Sequence, residues 1–237
     1  MAPAALLLAA SLAFADTALT PFSASTPGAP LPAPWREQHV ARASPNELAL
    51  VGDGGVTVLE ARAKAAAGAA IHAVSAATEG AALAWRWKID HVVASADMER
   101  RAGDDFAARV YVFFDVPVDT LPFGERVKIR LARLIYGDAL PTAALCYVWD
   151  NRHAPGTSRW SAYTDRVRMV VLESGNERAG AWVGERRDLA ADFRAAFGAQ
   201  WRGPAPAITG VALGNDTDQT GETVTARFGD VRLERAR

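Results

Sequence analysis

The sequence has a single cysteine, Cys146, among its 237 residues. It therefore lacks the paired thiols of a disulfide-stabilised domain or a cysteine-rich zinc module. Its formal net charge of −1 offers no excess of positive charge for binding the phosphates of nucleic acid. Phosphate-binding glycine loops, Gly-x-Ser-x-Gly and His-Glu-x-x-His motifs do not occur, and the four histidines are scattered, which disfavours nucleotide-dependent enzymes, serine hydrolases and zinc peptidases. What is present is a hydrophobic fraction of 50%, enough to form the core of one globular domain.

An uncharged apolar run lies at the N-terminus. Residues 4–15 carry no charged side chain and end in Ala13-Phe14-Ala15, the small-x-small pattern typical of a signal-peptidase site. The run is shorter than the about 20 apolar residues that a membrane-spanning helix needs. We therefore predict a signal peptide over 1–15, periplasmic or secreted localisation in a bacterium, and no transmembrane span in the mature chain.

The segment 16–34 is rich in proline and small residues and predicts an extended linker. A single domain over 35–237 follows, because neither an internal repeat nor a change in composition divides it. Short segments with period-two alternation or β-branched residues predict strands. They cover approximately 47–51, 55–62, 69–74, 82–90, 104–116, 143–150, 165–173, 180–187, 207–214 and 223–234. This pattern predicts an all-β fold, an antiparallel jelly-roll-like β-sandwich of the concanavalin or carbohydrate-binding-module type, with one or two short helices.

Two segments predict helices. Residues 125–136 carry Val127, Leu131 and Ile135 at helical spacing, with basic residues largely on the other side. This basic amphipathic helix either closes one end of the sandwich or lies on a membrane surface. The second predicted helix covers 188–197 and ends before Gly198.

The predicted strand 104–116 carries a mixed polar and aromatic face. Alternation assigns the opposite face to the core, with Phe106, Ala108, Val110, Val112 and Phe114. The mixed face carries Asp105, Ala107, Arg109, Tyr111, Phe113 and Asp115. Arginine offers forked donors to carboxylates or hydroxyls, and aromatic rings cover the apolar faces of sugars. This face therefore predicts a groove for a polar ligand.

Two further predicted strands place large aromatic residues on one side. Trp85 and Trp87 share a face, and so do Tyr147 and Trp149. These side chains either fill the core or line a concave outer face together with the mixed face of strand 104–116. Cys146 points the other way and is predicted to be a buried, unreactive thiol. The predicted ligand-binding residues are Trp85, Trp87, Asp105, Arg109, Tyr111, Tyr147 and Trp149.

The loop 215–222 contains alternating acidic residues. Asp216, Asp218 and Gly221 occupy positions one, three and six of an EF-hand-like start, in which alternate oxygens converge on a hard cation. Arg227 replaces the bidentate glutamate at position twelve, so an EF-hand is disfavoured. Two alternatives stay open: a turn stabilised by its Asp and Asn side chains, or a calcium site of another geometry that uses Asp216, Asp218 and Asp230. The expected cofactor is accordingly none, or structural calcium.

Several runs together resemble DUF3047, a family of exported bacterial proteins of unknown function. The runs are Trp85-Arg86-Trp87, 103–112, Tyr147-Val148-Trp149, 191–198, 216–220 and 228–231. The resemblance spans most of the chain after the predicted linker, and Gly-Asp-Asp-Phe-Ala-Ala-Arg at 103–109 is its most specific part. It implies an all-β domain of the periplasm or envelope with no established activity. The closing run 228–233 also resembles the last strand of carbohydrate-binding jelly rolls.

These features support three hypotheses about function. The first is a non-catalytic module that binds a glycan or another polar component of the cell envelope on the aromatic and Asp/Arg face. The second is a glycoside hydrolase or polysaccharide lyase. Its catalytic candidates are Asp104, Asp105 and Arg109, with Asp216, Asp218 or Asp230 as the partner carboxylate. The third is a structural envelope protein in which buried Asp–Arg pairs only stabilise the sandwich.

Overall fold

The structure is a computed structural model that describes residues 19–40, 43–120, 124, 126 and 142–236. The predicted signal peptide over 1–15 lies outside the described residues, and so does the predicted helix 125–136 apart from Arg126. In the described part of the chain, no helix combines the length and the apolarity needed to cross a bilayer.

The described residues form two β-sheets and one α-helix. The strands are β1 (Arg36–His39), β2 (Glu47–Asp53), β3 (Val56–Lys64), β4 (Ala67–Ala76), β5 (Ala81–Ile89), β6 (Phe106–Phe114), β7 (Ala143–Asp150), β8 (Ser158–Ser161), β9 (Thr164–Ser174), β10 (Val183–Asp188), β11 (Ile208–Asp216), β12 (Thr223–Phe228) and β13 (Arg232–Arg235). The helix is α1 (Leu189–Phe197), and short 3₁₀ turns cover Phe22–Ala24, Arg101–Gly103 and Val118–Thr120.

The two sheets pack as a sandwich, which confirms the predicted fold class. The seven-stranded sheet has the order β1-β4-β11-β6-β7-β9-β8, and the six-stranded sheet has the order β10-β5-β12-β3-β2 with β13 also paired to β5. All neighbours are antiparallel except β7 and β9. These two are parallel because the β8–β9 hairpin folds back so that its second strand, and not its first, pairs with β7.

Each of the predicted strands is present, and the differences lie at the edges. The structure adds β1 and β8, two strands of four residues at the two edges of the larger sheet. Both are polar or partly exposed, so they carry no hydrophobic alternation that would predict them. The last predicted strand is divided into β12 and β13 at Gly229-Asp230.

The described part of the predicted linker packs onto the domain. Leu19 and Phe22 are buried in the main hydrophobic core, and the ring of Phe22 lies 4.9 Å from that of Trp35. The backbone N–H of Thr20 donates to Nε2 of His72 on β4 at 3.2 Å. The predicted domain boundary at Trp35 is therefore corrected: apolar residues between the prolines make this segment part of the fold.

Helix α1 confirms the helix predicted over 188–197, and it packs against the end of the sandwich. The side chain of Asp188 accepts a hydrogen bond from the backbone N–H of Ala191, which caps the helix. Phe193 packs against Phe114 of β6, with ring centroids 4.9 Å apart. A β-carbon at Gly198 would lie 2.4 Å from the carbonyl oxygen of Arg194, so this close approach explains the glycine at the end of the helix.

Candidate functional site

A β-bulge in β6 decides which side chains face outward near one end of the larger sheet. Phe106 is paired with Asp216 and Arg109 with Gly214, so β6 spans three steps where β11 spans two. The extra residue shifts the alternation. Ala107 lies in the main core, while Phe106 belongs to the apolar cluster on the outer face. The predicted faces of Phe106 and Ala107 are therefore wrong, because period-two alternation does not reveal a bulge.

Arg109 is buried on this outer face, with 7% of its side chain exposed. Its Nε donates to Oδ1 of Asp216 at 2.8 Å, and its Nη2 lies 2.5 Å from Oδ2 of the same carboxylate. Its Nη1 donates to the hydroxyl of Tyr111 at 3.0 Å, and its Nη2 donates to the backbone carbonyl of Asp104. The guanidinium is thus held in a bidentate pair with Asp216 and covers the ring of Phe106, 4.4 Å from its centroid.

Three more aspartates surround this pair, and we call Asp104, Asp105, Asp216 and Asp218 the acidic cluster. One carboxylate oxygen each from Asp105, Asp216 and Asp218 lies within 4.8 Å of the other two. The backbone N–H groups of Gln219 and Thr220 donate to Asp105, the latter at 2.6 Å. The end of β11 with the turn that follows it and the segment that enters β6 therefore bring the four carboxyl groups together.

The electrostatics of the acidic cluster reflect burial and mutual repulsion. Burial raises the pKa of Asp216 to about 7, against the favourable charge of Arg109. Burial also raises the pKa of Asp104 and of Asp218, with a further contribution from the neighbouring Asp105 carboxylate. The structure thus joins the predicted catalytic candidates Asp104, Asp105 and Arg109 to the predicted metal ligands Asp216 and Asp218 in one place.

Asp230 lies elsewhere, which corrects the predicted set of calcium ligands. Its carboxylate accepts hydrogen bonds from the backbone N–H of Ser23 at 3.0 Å and from the Ser23 hydroxyl at 2.5 Å. Asp230 lies in the turn between β12 and β13, which belong to the six-stranded sheet. Its bonds to Ser23 therefore anchor the N-terminal segment to that sheet. Asp105 takes the place that the sequence pattern assigned to Asp230.

Four of the five predicted aromatic ligand residues lie between the sheets, and the fifth, Tyr111, lies on the outer face. Trp85, Trp87, Tyr147 and Trp149 are at most 4% exposed. Trp85 packs on Tyr147 with ring centroids 5.3 Å apart, and Trp87 packs on Trp149 at 5.8 Å. The prediction that they line an outer face with Arg109 is therefore wrong. Cys146 and Val148, which alternate with Tyr147 and Trp149, belong to the apolar cluster on the outer face. The apolar character of these two small residues therefore did not identify the face of the strand that points into the core.

Cys146 is one of these outer-face residues, and it is buried. Burial raises the pKa of its thiol to about 12. The predicted burial of this thiol is confirmed, and its low reactivity stays a prediction.

A second polar site lies at the edge of the sandwich, between β8–β9 and β10 and below α1. We call it the edge cleft. Its volume is about 390 Å³. It is lined by Pro155, Gly156, Ser158, Arg168, Val170, Val171, Leu172, Glu185, Arg187, Asp192, Ala195 and Ala196. The aromatic residues adjoin it, because the Tyr147 hydroxyl donates to Asp192 at 2.7 Å.

Two arginines of the edge cleft are held by neighbouring groups. Arg168 donates from Nε to the Ser158 hydroxyl at 2.7 Å and stacks on Trp160, 4.8 Å from the ring centroid. Arg187 forms a bidentate pair with Asp192, with distances of 2.6 and 2.8 Å. Nη1 of Arg168 makes no hydrogen bond to the described residues, while Arg187 also interacts with the Tyr147 side chain. Arg168 therefore keeps donors for a further partner.

Glu185 is the acid of the edge cleft. It pairs with Trp85 in the β10–β5 register, so its side chain points between the sheets. Burial and the nearby Glu173 carboxylate raise its pKa. Its buried Oε1 accepts no hydrogen bond of normal geometry from the described residues, but an interaction with the Trp87 side chain acts against burial and lowers the pKa of the carboxyl group. The indole nitrogen of Trp85 is also buried without an acceptor among the described residues.

This cleft was not predicted from the sequence. A signal was present in β9, where Arg168 shares a strand face with the partly buried residues Val170 and Leu172, which pack against the core. A charged residue on the apolar side of a strand indicates either an edge position or a site.

The comparisons with known proteins concern family and fold. The family model DUF3047, described as a protein of unknown function, matches residues 33–232. The sequence has no match among curated proteins.

Among solved structures, the chain is similar to the xyloglucanase domain of NopAA from Sinorhizobium fredii, with a TM-score of 0.44, 7% identity, and coverage of 85% of this chain and 93% of that chain. It is also similar to endoglucanase Cel12A from Rhodothermus marinus, with a TM-score of 0.43, 10% identity, and coverage of 85% and 97%. A third similar structure is endoglucanase 3 from Trichoderma harzianum, with a TM-score of 0.41, 5% identity, and coverage of 87% and 100%. Identities this low carry no information on substrate or activity.

Proposed function

The chain belongs to the DUF3047 family, and we propose that it is an exported β-sandwich module that binds an acidic glycan of the cell envelope in the edge cleft. The observation that carries this proposal is the pair of inward-facing arginines beside the half-buried carboxyl group of Glu185. The proposal moves the ligand site predicted from the sequence away from the aromatic residues, which lie in the core.

The arginines provide the positive charge for a sugar carboxylate. Because Ser158 and the Trp160 ring fix Arg168 in place, little side-chain entropy is lost when its remaining donors bind a ligand. The Asp192 carboxylate orients Arg187 in the same way. Two fixed guanidinium groups along one cleft match an acidic sugar better than a neutral one.

The rest of the edge cleft suits the sugar ring. Glu185 and the Ser158 hydroxyl offer polar partners for ring hydroxyls, while Val170, Leu172 and Ala196 supply apolar surface. Ligand sites combine an apolar lining with a few placed polar groups and have volumes of about 300–1,000 Å³. At about 390 Å³, the cleft fits a short segment of a glycan and not a wide polymer surface.

The test is isothermal titration calorimetry with tri-galacturonate and with neutral cellotriose of equal length. We expect the wild type to bind the acidic trisaccharide and to bind the neutral one more weakly. Arg168→Ala should weaken binding by about tenfold or more, since a hydrogen bond to a charged group contributes about 1.5–3 kcal/mol. Arg168→Lys keeps the positive charge but loses the forked donors of the guanidinium, so its affinity for tri-galacturonate should lie between those of the wild type and Arg168→Ala.

The matched control is Arg159→Ala. Arg159 is on the neighbouring strand β8, but it is exposed and pairs with Glu99 at 3.0 Å, so its removal should leave binding unchanged. Circular dichroism confirms that each variant is folded. If a folded Arg168→Ala variant bound tri-galacturonate as tightly as the wild type, or if the wild type bound neither sugar, the proposal would be refuted.

A second candidate function, glycoside hydrolysis, is favoured by one observation at the same cleft. Glu185 has a raised pKa and the Glu173 carboxylate nearby, and a glycosidase needs a protonated acid beside a second carboxylate. Release of reducing ends from polygalacturonate, abolished in Glu185→Gln, would favour this enzyme. Binding without release would favour the module. The acidic cluster suits hydrolysis less, because its oxygens lie within 4.8 Å, closer than the about 5–9.5 Å that separates glycosidase carboxyl groups.

A further inference from the structure

We propose that the acidic cluster binds one divalent hard cation, with Ca²⁺ as the matching ion, held by Asp105, Asp216 and Asp218 and supported by Asp104. The proposal is independent of the edge cleft, since the cluster is built on β6, β11 and the turn after β11, whereas the cleft is built on β8, β9 and β10.

The spacing of the carboxylate oxygens fits a shared ion. Calcium binds oxygen at about 2.3–2.6 Å, so two ligands of one ion lie at most about 5 Å apart. The oxygens of Asp105, Asp216 and Asp218 meet this limit, since all lie within 4.8 Å of one another. An all-carboxylate set selects a hard cation over zinc or copper, which prefer nitrogen and sulfur.

A second observation is a buried carboxylate oxygen beside the cluster that lacks a hydrogen bond. Oδ1 of Asp104 is buried and accepts no hydrogen bond from any residue in the described part of the chain, although the residue is only 6% exposed. Its nearest cationic atom is Nη2 of Arg109 at 3.7 Å, beyond hydrogen-bond distance. Asp104 also interacts electrostatically with Asp105 and Asp218, so its unpartnered oxygen belongs to the acidic cluster. Buried polar atoms are normally paired, and a bound ion is one way to pair them.

The charge balance agrees with this. The cluster has four carboxyl groups, and Arg109 is the guanidinium that bonds to it among the described residues. A divalent ion would offset most of the remaining negative charge. The pair between Arg109 and Asp216 does not prevent this. Oδ1 of Asp216 accepts from both Arg109 and the Phe106 N–H, whereas among the described residues Oδ2 faces only Arg109 and keeps a second lone-pair direction for an ion.

The geometry of the cluster is fixed before an ion binds. Backbone N–H groups of Gln219 and Thr220 hold Asp105, and the Phe106 N–H donates to Oδ1 of Asp216 at 3.0 Å. Gln219 donates through Nε2 to Asp218 at 2.6 Å. Preformed ligands lower the entropy lost on binding.

The experiment is calorimetric titration of the EDTA-treated, dialysed full chain with CaCl₂, together with thermal unfolding in EDTA and in CaCl₂. We expect one Ca²⁺ per chain and a higher Tm in CaCl₂. Asp218→Asn is partly exposed and nearly isosteric, so it should fold and yet bind at least about tenfold more weakly, because calcium affinity depends on the number of charged ligands. Asp105→Asn should weaken binding in the same way.

Asp230→Asn is the matched control. Asp230 is the aspartate that the sequence pattern grouped with the calcium ligands, but it bonds to Ser23 away from the cluster, so its replacement should leave calcium binding unchanged. The proposal is overturned if the wild type shows neither binding heat nor a change in Tm. It is also overturned if Asp218→Asn and Asp105→Asn both bind Ca²⁺ like the wild type, since any site would then lie elsewhere.

Discussion

Replacement of Arg109 by leucine should strongly destabilise the protein. The guanidinium is buried and makes hydrogen bonds to Asp216, to the Tyr111 hydroxyl and to the backbone carbonyl of Asp104. Leucine fills part of the space over Phe106 but donates nothing. Arg109→Leu therefore leaves Asp216 buried without its partner, next to the carboxylates of Asp104 and Asp105.

The magnitude follows from what is left behind. Breaking a buried ion pair by removing one partner costs about 3–5 kcal/mol, because an uncompensated charge stays buried. For a domain of this size, 1 kcal/mol corresponds to about 2–4 °C in Tm. We therefore expect a loss of about 3–5 kcal/mol in the free energy of unfolding and a fall in Tm on the order of 10 °C.

The assay is urea unfolding followed by tryptophan fluorescence, in EDTA so that no cation offsets the loss. Arg159→Leu is the control, because its exposed pair with Glu99 should contribute less than about 1 kcal/mol. The double variant Arg109→Leu/Asp216→Asn should be less destabilised than the sum of the two single variants. A loss below about 1 kcal/mol for Arg109→Leu, or strict additivity, would show that the buried pair does not stabilise the fold.

Two further predictions concern other titratable groups. Hydrogen bonds from Lys88 and Arg227 lower the pKa of Asp53 from 3.8 to about 2; its folded pKa lies below its unfolded pKa, so its stabilisation is present above about pH 4 and is lost as the pH falls through about 2. Asp53→Asn should therefore cost about 1–2 kcal/mol at pH 7 and little near pH 2 in urea unfolding, and an equal cost at both pH values would contradict the assignment. Because burial raises the pKa of Cys146 to about 12, its thiol should not react with Ellman's reagent in the native protein and should react in urea; rapid release of the thiolate dye from the native protein would contradict its burial.

The fold could be predicted from the sequence because it depends on alternation. Strands such as β5 and β12 alternate between buried and partly exposed residues, and this signal is strong in a half-buried strand. Helix α1 carries its own cap, Asp188, and its own stop, Gly198. The edge strands could not be predicted, since β1 (Arg36–His39) is exposed along its whole length and has no core face to generate a pattern.

The candidate sites were predictable only in part, for two physical reasons. The bulge in β6 reverses the faces of Phe106 and Ala107 relative to simple alternation. Alternation also does not say which face of a strand points inward when both are apolar, as in β7, where every residue is buried. For this reason Trp149 was expected outside and Cys146 was not distinguished from the core. Asp105 and Asp218 come close because two segments that are distant in the sequence meet in the fold. The periodicity of a sequence describes single strands and does not predict such a contact.

The same reasoning explains why buried carboxyl groups are the informative residues in this sandwich. A buried acid that lacks a hydrogen bond costs free energy, and apolar replacements of similar volume are often neutral or stabilising. The burial of tryptophan and phenylalanine side chains needs no bound partner to explain it, because burying their large apolar surface stabilises a core. The buried Oδ1 of Asp104 and Oε1 of Glu185 accept no hydrogen bond of normal geometry from the described residues, and the nearby Arg109 and Trp87 side chains offset only part of the cost of burying these carboxyl groups. A bound partner at each site would offset the rest of this cost, which is why both proposals rest on these carboxyl groups and not on the aromatic core.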